Sequence, residues 1–455
     1  MLPREDPLAH AIVIGGSITG LLAGRVLSDY FQQVTIIERD HYPTQPAPRD
    51  GVPQSRFLHV LLQRGQTILE ELFPDLSAEL MAQGAPLLKD NQDVEFYSRY
   101  GAAKKDNSPI QILSATRGLL DWTIRQRLMQ RSNITFLEHA QVVGLVASPD
   151  RRGLAGVSVR QHNDGRSGVK ISARALLADL VVDASGKTSR TPQWLQQLGY
   201  DTPAETLIDA KIGYAHRVYQ RPAHGSRQWQ AAIVWPSLPA QTRSGILFPV
   251  EGNRWIVGLG GAAPDHPPTD EADFLEYARS LPTPLIYEGM KASKPLSPIH
   301  LYRGNENRKR AYEKLTPYPE NLLVMGHASC AFNPVYAQGM TMSAIEAQIL
   351  ANQLKRSSAV GSAGWSQRVQ KKLASAEAMP WSMATDMDRR YLTQGRLANR
   401  LQRFSDWYQE QILQLVTKDA AAYRQMMAVT HMLKSPNSMM TPSLLGKVVY
   451  QALTH

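Results

Sequence analysis

HAIVIGGSITG, residues 10–20, is a short apolar run that ends in a glycine-rich turn. Apolar residues then recur at helical spacing over residues 21–27, and VTIIE at 34–38 follows as a second strand-like run. A strand, a helix and a second strand joined this closely are typical of the βαβ unit that opens a parallel sheet. The stretch therefore predicts a parallel α/β core near the beginning of the chain.

The glycine turn is suited to a dinucleotide. Gly15 makes the tight turn, the small Ser17 lets the backbone approach a pyrophosphate, and Gly20 permits close packing of helix on strand. The N-terminus of the helix then faces the anion. Glu38 ends the second strand, about 20 residues further on, where a carboxylate accepts hydrogen bonds from ribose hydroxyls. We assign these residues and the adjacent Arg39 to cofactor binding.

Further segments predict how the rest of the chain is organised. Short strands at 180–183 and 322–325 each end in a glycine-containing turn, so the nucleotide-binding sheet is expected to be discontinuous in sequence. Between them, residues 210–299 contain strand-like runs separated by turn residues, which predicts an inserted antiparallel sheet. Residues 91–110 are a candidate addition to that sheet.

The last part of the chain has a helical pattern. Residues 359–455 are rich in good helix formers and are interrupted by Pro380, Pro436 and Pro442. The predicted division is 1–209 and 300–358 for the nucleotide-binding domain, 210–299 for the substrate domain and 359–455 for a C-terminal helical cap.

Composition excludes several classes of protein. The chain has 455 residues, of which 43% are hydrophobic and 20% are charged, and this indicates a folded globular protein. A single cysteine, Cys330, excludes an internal disulfide framework. The net charge of +10 is spread over short basic runs, so no nucleic-acid partner is predicted. No ligand spacing for a metal, no apolar stretch of membrane-spanning length and no signal-peptide pattern is found, so we expect a cytoplasmic protein.

Three separated motifs resemble the aromatic-hydroxylase (group A) class of FAD-dependent monooxygenases. They are the glycine turn, DASG at 183–186 and LVMGHA at 323–328. Two longer strings, RDGVPQSR at 49–56 followed by His59, and FNPVYAQGM at 332–340, resemble the bacterial polyether epoxidases and related natural-product oxygenases. The resemblance implies an α/β fold with a Rossmann-like FAD-binding domain, an inserted antiparallel β-sheet substrate domain and a C-terminal helical region.

The resemblance also implies an activity. Enzymes of this class insert one oxygen atom from O2 into a hydrophobic substrate through a flavin C4a-hydroperoxide, with noncovalent FAD and with NAD(P)H or a reductase as the electron source. The protein then orients the substrate, excludes water from the pocket and controls proton transfer. We expect alkene epoxidation of a natural product, with aromatic hydroxylation as the alternative.

Site residues follow from the motifs and the resemblance. The expected cofactor-binding residues are Gly15, Ser17, Gly20, Glu38, Arg39, Arg49, Arg117, Asp183, Gly326, His327, Pro334, Gly339 and Met340. The expected catalytic residues are His59 and Tyr336, and the expected substrate residues are Tyr219, Trp235, Phe248 and Trp255.

Several of these assignments have competing interpretations. Arg117 either reaches the cofactor or forms an i,i+4 ion pair with Asp121, and His59 is either an active-site group or a packed histidine. His327 stands where the family places a ribityl-binding aspartate, and Ala337 replaces a glycine of the family. His327 can accept from a hydroxyl as neutral imidazole, donate as imidazolium, or only pack.

Other functions remain open at the level of sequence. A flavin-dependent prenyl-chain reductase shares the fold and inserts no oxygen, and a flavin-binding protein without catalysis is also compatible with the departures at His327 and Ala337. A tryptophan-type halogenase requires a Trp-x-Trp-x-Ile-Pro segment that is not found here. The sequence leaves the substrate and the oligomeric state open, because a fold and a cofactor site do not define them.

Overall fold

The computed structural model describes residues 8–161, 172–222, 229–238, 240–303, 305–356, 360, 362–392 and 400–454. The predicted boundary at 358/359 and the first seven residues of the predicted nucleotide-binding domain lie outside this part.

The strands are β1 Leu8–Ile14, β2 Phe31–Ile37, β3 Leu87–Lys89, β4 Val94–Ser98, β5 Gly101–Ala102, β6 Gln111–Leu113, β7 Ile134–Leu137, β8 Ala140–Ala147, β9 Leu154–Gln161, β10 Arg174–Leu177, β11 Leu180–Asp183, β12 Glu205–Ile208, β13 Ile212–Gln220, β14 Ala231–Val234, β15 Ser244–Val250, β16 Arg254–Ala262, β17 His300–Tyr302, β18 Asn307–Arg310, β19 Leu322–Val324 and β20 Cys330–Ala331. The helices are α1 Ile18–Leu27, α2 Gln63–Leu72, α3 Leu76–Ala82, α4 Arg117–Met129, α5 Thr191–Gln197, α6 Glu271–Arg279, α7 Leu285–Lys291, α8 Gly339–Lys355, α9 Trp365–Leu392, α10 Arg400–Leu415, α11 Ala420–Thr430 and α12 Pro442–Thr454.

The predicted βαβ unit forms the centre of a parallel five-stranded sheet. Its strand order is β19-β11-β1-β2-β7. Strands distant in sequence therefore become neighbours, since β11 pairs with β1 and β19 pairs with β11. β1 and β11 are apolar and buried because helices and a small sheet cover the two faces of this sheet. The carboxyl ends of β1, β2, β11 and β19 therefore meet at one edge, where loops can form a site.

The second large sheet has seven strands in the order β17-β13-β16-β15-β14-β4-β5. All of its neighbouring strands are antiparallel except β14 and β4, which run parallel. The antiparallel sheet predicted for 210–299 is confirmed, because β13, β14, β15 and β16 pair only antiparallel with one another. The single parallel pairing joins β14 to β4, which with β5 adds to the edge of this sheet from the candidate segment 91–110. Smaller sheets are β10-β9-β8, β12-β18-β20 and β3-β6.

Helices dominate the described C-terminal part. Pro380 lies inside α9 rather than interrupting it, which corrects the prediction from its sequence. A proline inside a helix costs about 3 kcal/mol through a lost hydrogen bond and a clash. Buried residues before and after it, Leu373 and Ala384, show that packing extends along the whole helix and offsets this cost. Pro436 and Pro442 do stand at the starts of helical segments.

The C-terminal helices cover one face of the seven-stranded sheet. Phe96 of β4 packs in one apolar cluster with Ile412 of α10, Met427 of α11 and Val448 of α12. The opposite face of the same sheet is covered by α6 and α7. No helix in the described ranges has the length and apolar character needed to cross a membrane.

Candidate functional site

One cavity of about 1120 Å³ lies between the edge of the parallel sheet, the seven-stranded sheet and the C-terminal helices. Most of the residues assigned from sequence line it. They are Gly15, Ser17, Glu38, Arg39, Arg49, His59, Arg117, Trp235, Phe248, His327, Pro334, Tyr336, Gly339 and Met340. Gly20, Asp183, Gly326, Tyr219 and Trp255 do not line it, and their positions are described below.

The glycine turn needs its glycines for different reasons. Gly15 has a φ of +99°, and a Cβ built on it would lie 2.6 Å from the carbonyl oxygen of Ala184. A Cβ on Gly20 would lie 1.8 Å from the carbonyl oxygen of Gly15. Gly20 therefore acts by letting α1 begin directly against the turn, while Gly15 and Ser17 face the cavity.

The end of β2 carries a buried ion pair. Glu38 Oε2 accepts a hydrogen bond from the Gly16 N–H at 2.9 Å and from Arg49 Nη2 at 3.0 Å. Both side chains are only 7% exposed. Arg49 also donates to the carbonyl oxygen of Gly16. The structure thus holds Arg49 against Glu38 and the glycine turn, at the nucleotide end of the cavity.

Arg117 forms the ion pair with Asp121 and also lines the cavity. Its Nε pairs with Asp121 at 2.6 Å, as an i,i+4 pair would, and its Nη2 donates to Ser17 Oγ at 2.9 Å. The side chain is 5% exposed and lines the cavity, so the ion pair is buried rather than on the surface. Asp121 orients a guanidinium that reaches the first turn of α1.

Asp183 and Gly326 lie behind the lining. The Asp183 carboxylate accepts from the Ser185 N–H and from the hydroxyls of Ser189 and Thr191, and so it shapes the 184–186 loop that faces the cavity. Gly326 has a φ of +60°, and a Cβ there would meet Thr19 Oγ1 at 2.4 Å. Both residues act on the site through the loops that they organise.

His327 is half-buried and faces the cavity beside the start of α8. Burial, with the Arg117 charge nearby, lowers the pKa of its ring to about 4, so the imidazole is neutral near pH 7. This argues against the interpretation of His327 as an imidazolium donor. Gly339, at the N-terminus of α8, has no side chain and leaves room for the ring.

The loop before α8 is tied to the C-terminal helices. Tyr336 donates its hydroxyl to Asp388 of α9, which also accepts from Asn307 and Asn333. Asp388 is fully buried, and burial raises its carboxyl pKa to about 6. Ala337 has a φ of +54° and is in the left-handed region, which glycine adopts most readily. An alanine in this conformation costs about 1–2 kcal/mol.

The predicted aromatic residues separate onto two faces of the sheet. Trp235 and Phe248 line the cavity. Tyr219 and Trp255 point the other way and pack against α6 and α7 in a separate core cluster. The physical reason is strand alternation, because neighbouring positions of β15 and β16 face opposite sides. The structure therefore does not bring Tyr219 and Trp255 to the cavity.

Sequence reasoning assigned Met340 to the site but missed the other methionines of the lining. Eight of the chain's 15 methionines line the cavity, namely Met340, Met379, Met383, Met387, Met426, Met427, Met439 and Met440. Met379, Met383 and Met387 follow at four-residue steps along α9, and this spacing places them on one face of the helix. Flexible, polarizable thioethers adapt to apolar ligands of irregular shape.

His216 was also missed. It lies on β13, is 4% exposed, lines the cavity and accepts the Leu58 N–H on its Nδ1 at 3.2 Å. The sequence signal was weak, because a histidine within an apolar strand is usually a packed core residue.

The lining fits a flavin dinucleotide. Gly15 leaves a space that a Cβ atom would fill, and the N-terminus of α1 points toward this space. Glu38 lies at the end of β2. Backbone N–H groups at a helix start suit a pyrophosphate, and the carboxylate suits a ribose.

Solved structures share the fold over most of the chain. p-Nitrophenol 4-monooxygenase PnpA from Pseudomonas putida DLL-E4 superposes with a TM-score of 0.64 at 16% identity, covering 95% of this chain and 99% of that one. Flavin-dependent brominase Bmp2 gives 0.62 at 13% identity, covering 93% and 98%. The tetrameric form of 2-methyl-3-hydroxypyridine-5-carboxylic acid oxygenase gives 0.59 at 17%, covering 87% and 95%. The chain has the fold of the FAD-dependent monooxygenases, as predicted.

Sequence comparison identifies a relative. No family model matches the chain. Protein Rv3254 from Mycobacterium tuberculosis (strain ATCC 25618 / H37Rv) is 33% identical over 356 residues, which cover 77% of this chain and 74% of that protein. The chain belongs to the family of Protein Rv3254.

Proposed function

We propose that the chain is an FAD-dependent monooxygenase that inserts one oxygen atom from O2 into a hydrophobic natural-product substrate. The observation that carries this proposal is the continuity of one cavity from the dinucleotide turn to an apolar chamber lined by methionines and aromatic residues. A pocket that joins a cofactor site to an apolar space is the expected arrangement for a redox enzyme with a hydrophobic substrate.

The chain's own residues hold the cofactor in this proposal. The turn at Gly15 and the N-terminus of α1 bind the pyrophosphate, and Glu38 with Arg49 borders the ribose. His327 accepts from a ribityl hydroxyl as neutral imidazole. Pro334, Gly339 and Met340 border the ring system, where the positive end of the α8 dipole favours negative charge. Bound FAD supplies the redox chemistry that activates dioxygen, with NAD(P)H or a reductase as the electron source.

The remaining lining serves the substrate. Trp235 and Phe248 on the sheet, together with the methionines of α9 and α11, exclude water from the apolar chamber. Tyr336 is held by Asp388 and is proposed to position a proton near the reacting atoms. The domain division 1–209 with 300–358, 210–299 and 359–455 is proposed on the same basis, with the second sheet and the cap selecting the substrate.

Alkene epoxidation is the favoured outcome because the strings at 49–56 and 332–340 resemble epoxidases. Aromatic hydroxylation is the second candidate, and the solved structure named as a p-nitrophenol 4-monooxygenase favours it. A prenyl-chain reductase would consume reductant without incorporating oxygen.

The test combines cofactor release with isotope labelling. The purified protein is denatured and the released small molecule is weighed; FAD is expected, and FMN or peptide-bound flavin would contradict the proposal. The holoenzyme is then incubated with NAD(P)H, a reductase, labelled O2 and the compounds made by its gene neighbours. Incorporation of one labelled oxygen atom supports a monooxygenase, and an epoxide or a phenol decides between the two outcomes. Reductant consumption with a reduced, unlabelled product would support the reductase instead.

A further inference from the structure

Two histidines from distant parts of the chain meet the cavity side by side. His59 follows the short helical turn Pro53–Arg56, and His216 lies on β13. The Leu58 N–H donates to His216 Nδ1 at 3.2 Å, which joins the two segments. Both rings line the cavity.

Backbone hydrogen bonds give the two rings opposite tautomers. His216 Nδ1 accepts from an N–H, so its proton is on Nε2. His59 Nδ1 lies 3.0 Å from the Phe57 carbonyl oxygen, which can only accept, so its proton is on Nδ1. His216 therefore offers an Nε2–H donor, and His59 offers an unprotonated Nε2 acceptor.

The surroundings keep both rings neutral and in place. Burial is the main cause that lowers the pKa of each ring to about 3; the Arg117 charge adds to it at His59, and His59 and His300 add to it at His216. Phe57 packs edge-on against His216 with ring centroids 5.0 Å apart. Gly258 opposes His216 in register, and a Cβ there would lie 2.8 Å from His216 Nε2, so the glycine leaves space for this ring.

Neither Nε2 atom has a hydrogen-bond partner among the described residues. An unpaired donor and an unpaired acceptor facing one apolar cavity match a group that both accepts and donates. A hydroxyl is such a group.

We propose that His216 and His59 form a donor–acceptor pair that binds one hydroxyl group of a hydrophobic substrate. His216 Nε2–H donates to the hydroxyl oxygen, and His59 Nε2 accepts the hydroxyl proton. The substrate class is therefore a hydrophobic alcohol or phenol rather than a pure hydrocarbon or an ether. This inference rests on the proposed function, because the hydroxyl belongs to the molecule that is oxygenated.

The test compares 2-naphthol with 2-methoxynaphthalene in equilibrium titrations of the oxidised holoenzyme, without reductant. The ether oxygen can still accept from His216 Nε2–H but has no proton for His59. One hydrogen bond contributes about 1 kcal/mol, so wild type should bind the naphthol about fivefold more tightly than its methyl ether. In His216→Asn the amide oxygen can still accept the Leu58 N–H, and in His59→Asn the amide N–H can still donate to the Phe57 carbonyl. Each variant removes only the group at the Nε2 position. His59→Asn should therefore bring the ratio close to one, and His216→Asn should weaken the binding of both ligands by several-fold.

His300→Asn is the matched control, because His300 pairs with His216 across the sheet but does not line the cavity. It should keep the wild-type ratio and both wild-type affinities. A wild-type ratio near one overturns the proposal whether or not the variants fold. An unchanged ratio in folded His59→Asn, or unchanged affinities for both ligands in folded His216→Asn, overturns it as well. The two proposals can fail separately. Failure of the protein to bind FAD contradicts the proposed function, and the same titrations on the apo protein still measure whether it discriminates between naphthol and ether.

Discussion

His327 Nε2 lies 2.8 Å from the position that a Cβ atom would occupy on Gly339. The two residues come from separate elements, the short turn after β19 and the first residue of α8. The absent side chain at Gly339 is therefore what lets the imidazole stand at the start of this helix. The His327 ring and Gly339 therefore form one structural unit.

The first prediction tests this unit by a double-mutant cycle on FAD binding. His327→Ala should weaken FAD by about 0.5–1.5 kcal/mol, the value of one neutral hydrogen bond, and His327→Asp should restore much of it. Gly339→Ala should weaken FAD in the wild-type background because the new methyl group displaces the ring. In the His327→Ala background, Gly339→Ala should cost much less.

The control for this cycle is Gly446→Ala, because a Cβ on Gly446 meets nothing within 4 Å. It should leave FAD affinity unchanged. Equal dissociation constants for wild type and His327→Ala, with similar melting of the apo forms, would show that His327 only packs.

The second prediction concerns the glycine turn. Gly15→Ala places a residue with a side chain at a φ of +99° and brings its Cβ within 2.6 Å of the Ala184 carbonyl oxygen. FAD content should be lost. Gly199→Ala has a similar φ of +90° but meets nothing within 4 Å, so it should cost about 1–2 kcal/mol in unfolding free energy and retain FAD. Retention of full flavin absorbance by Gly15→Ala would argue against this turn as the pyrophosphate site.

The third prediction separates the two faces of the seven-stranded sheet. Trp235→Leu and Phe248→Leu should change the KM or turnover of a hydrophobic substrate with little effect on FAD content, because both side chains line the apolar chamber. Trp255→Phe, on the opposite face, should lower stability and leave the kinetic constants unchanged. Loss of FAD from folded Trp235→Leu would show that the chamber belongs to the cofactor.

The fourth prediction concerns acid stability. His431 is 2% exposed, accepts the Gln63 N–H on Nδ1, and has its pKa lowered by burial to about 4. Between this value and the unfolded pKa of about 6.5 the unfolded chain binds more protons, so the free energy of unfolding falls as the pH decreases through this window. His431→Asn keeps an acceptor for Gln63 and does not titrate.

Urea unfolding at pH 7.5 and pH 5 measures the effect. Wild type should lose about 2 kcal/mol more than His431→Asn between these pH values, since each pKa unit is worth about 1.4 kcal/mol. Equal losses in the two proteins would contradict a neutral, buried His431.

Local physics made the nucleotide-binding core predictable. Gly15, Gly20 and Glu38 are related by spacing along one βαβ unit, and their roles follow from backbone sterics within about 25 residues of chain. The short strands at 180–183 and 322–325 could be recognised for the same reason, and in the structure β11 pairs with β1 and β19 pairs with β11.

Only the tertiary structure decided which side chains face the cavity. Alternation along a strand defines two faces, but it does not say which face a helix will cover, and so Trp235 and Phe248 could not be distinguished from Tyr219 and Trp255. His216 gained a role only through the Leu58 N–H, which is separated from it by more than 150 residues of chain. The C-terminal methionines line the cavity because distant segments of the chain meet there, and this is a property of the whole fold rather than of any local stretch.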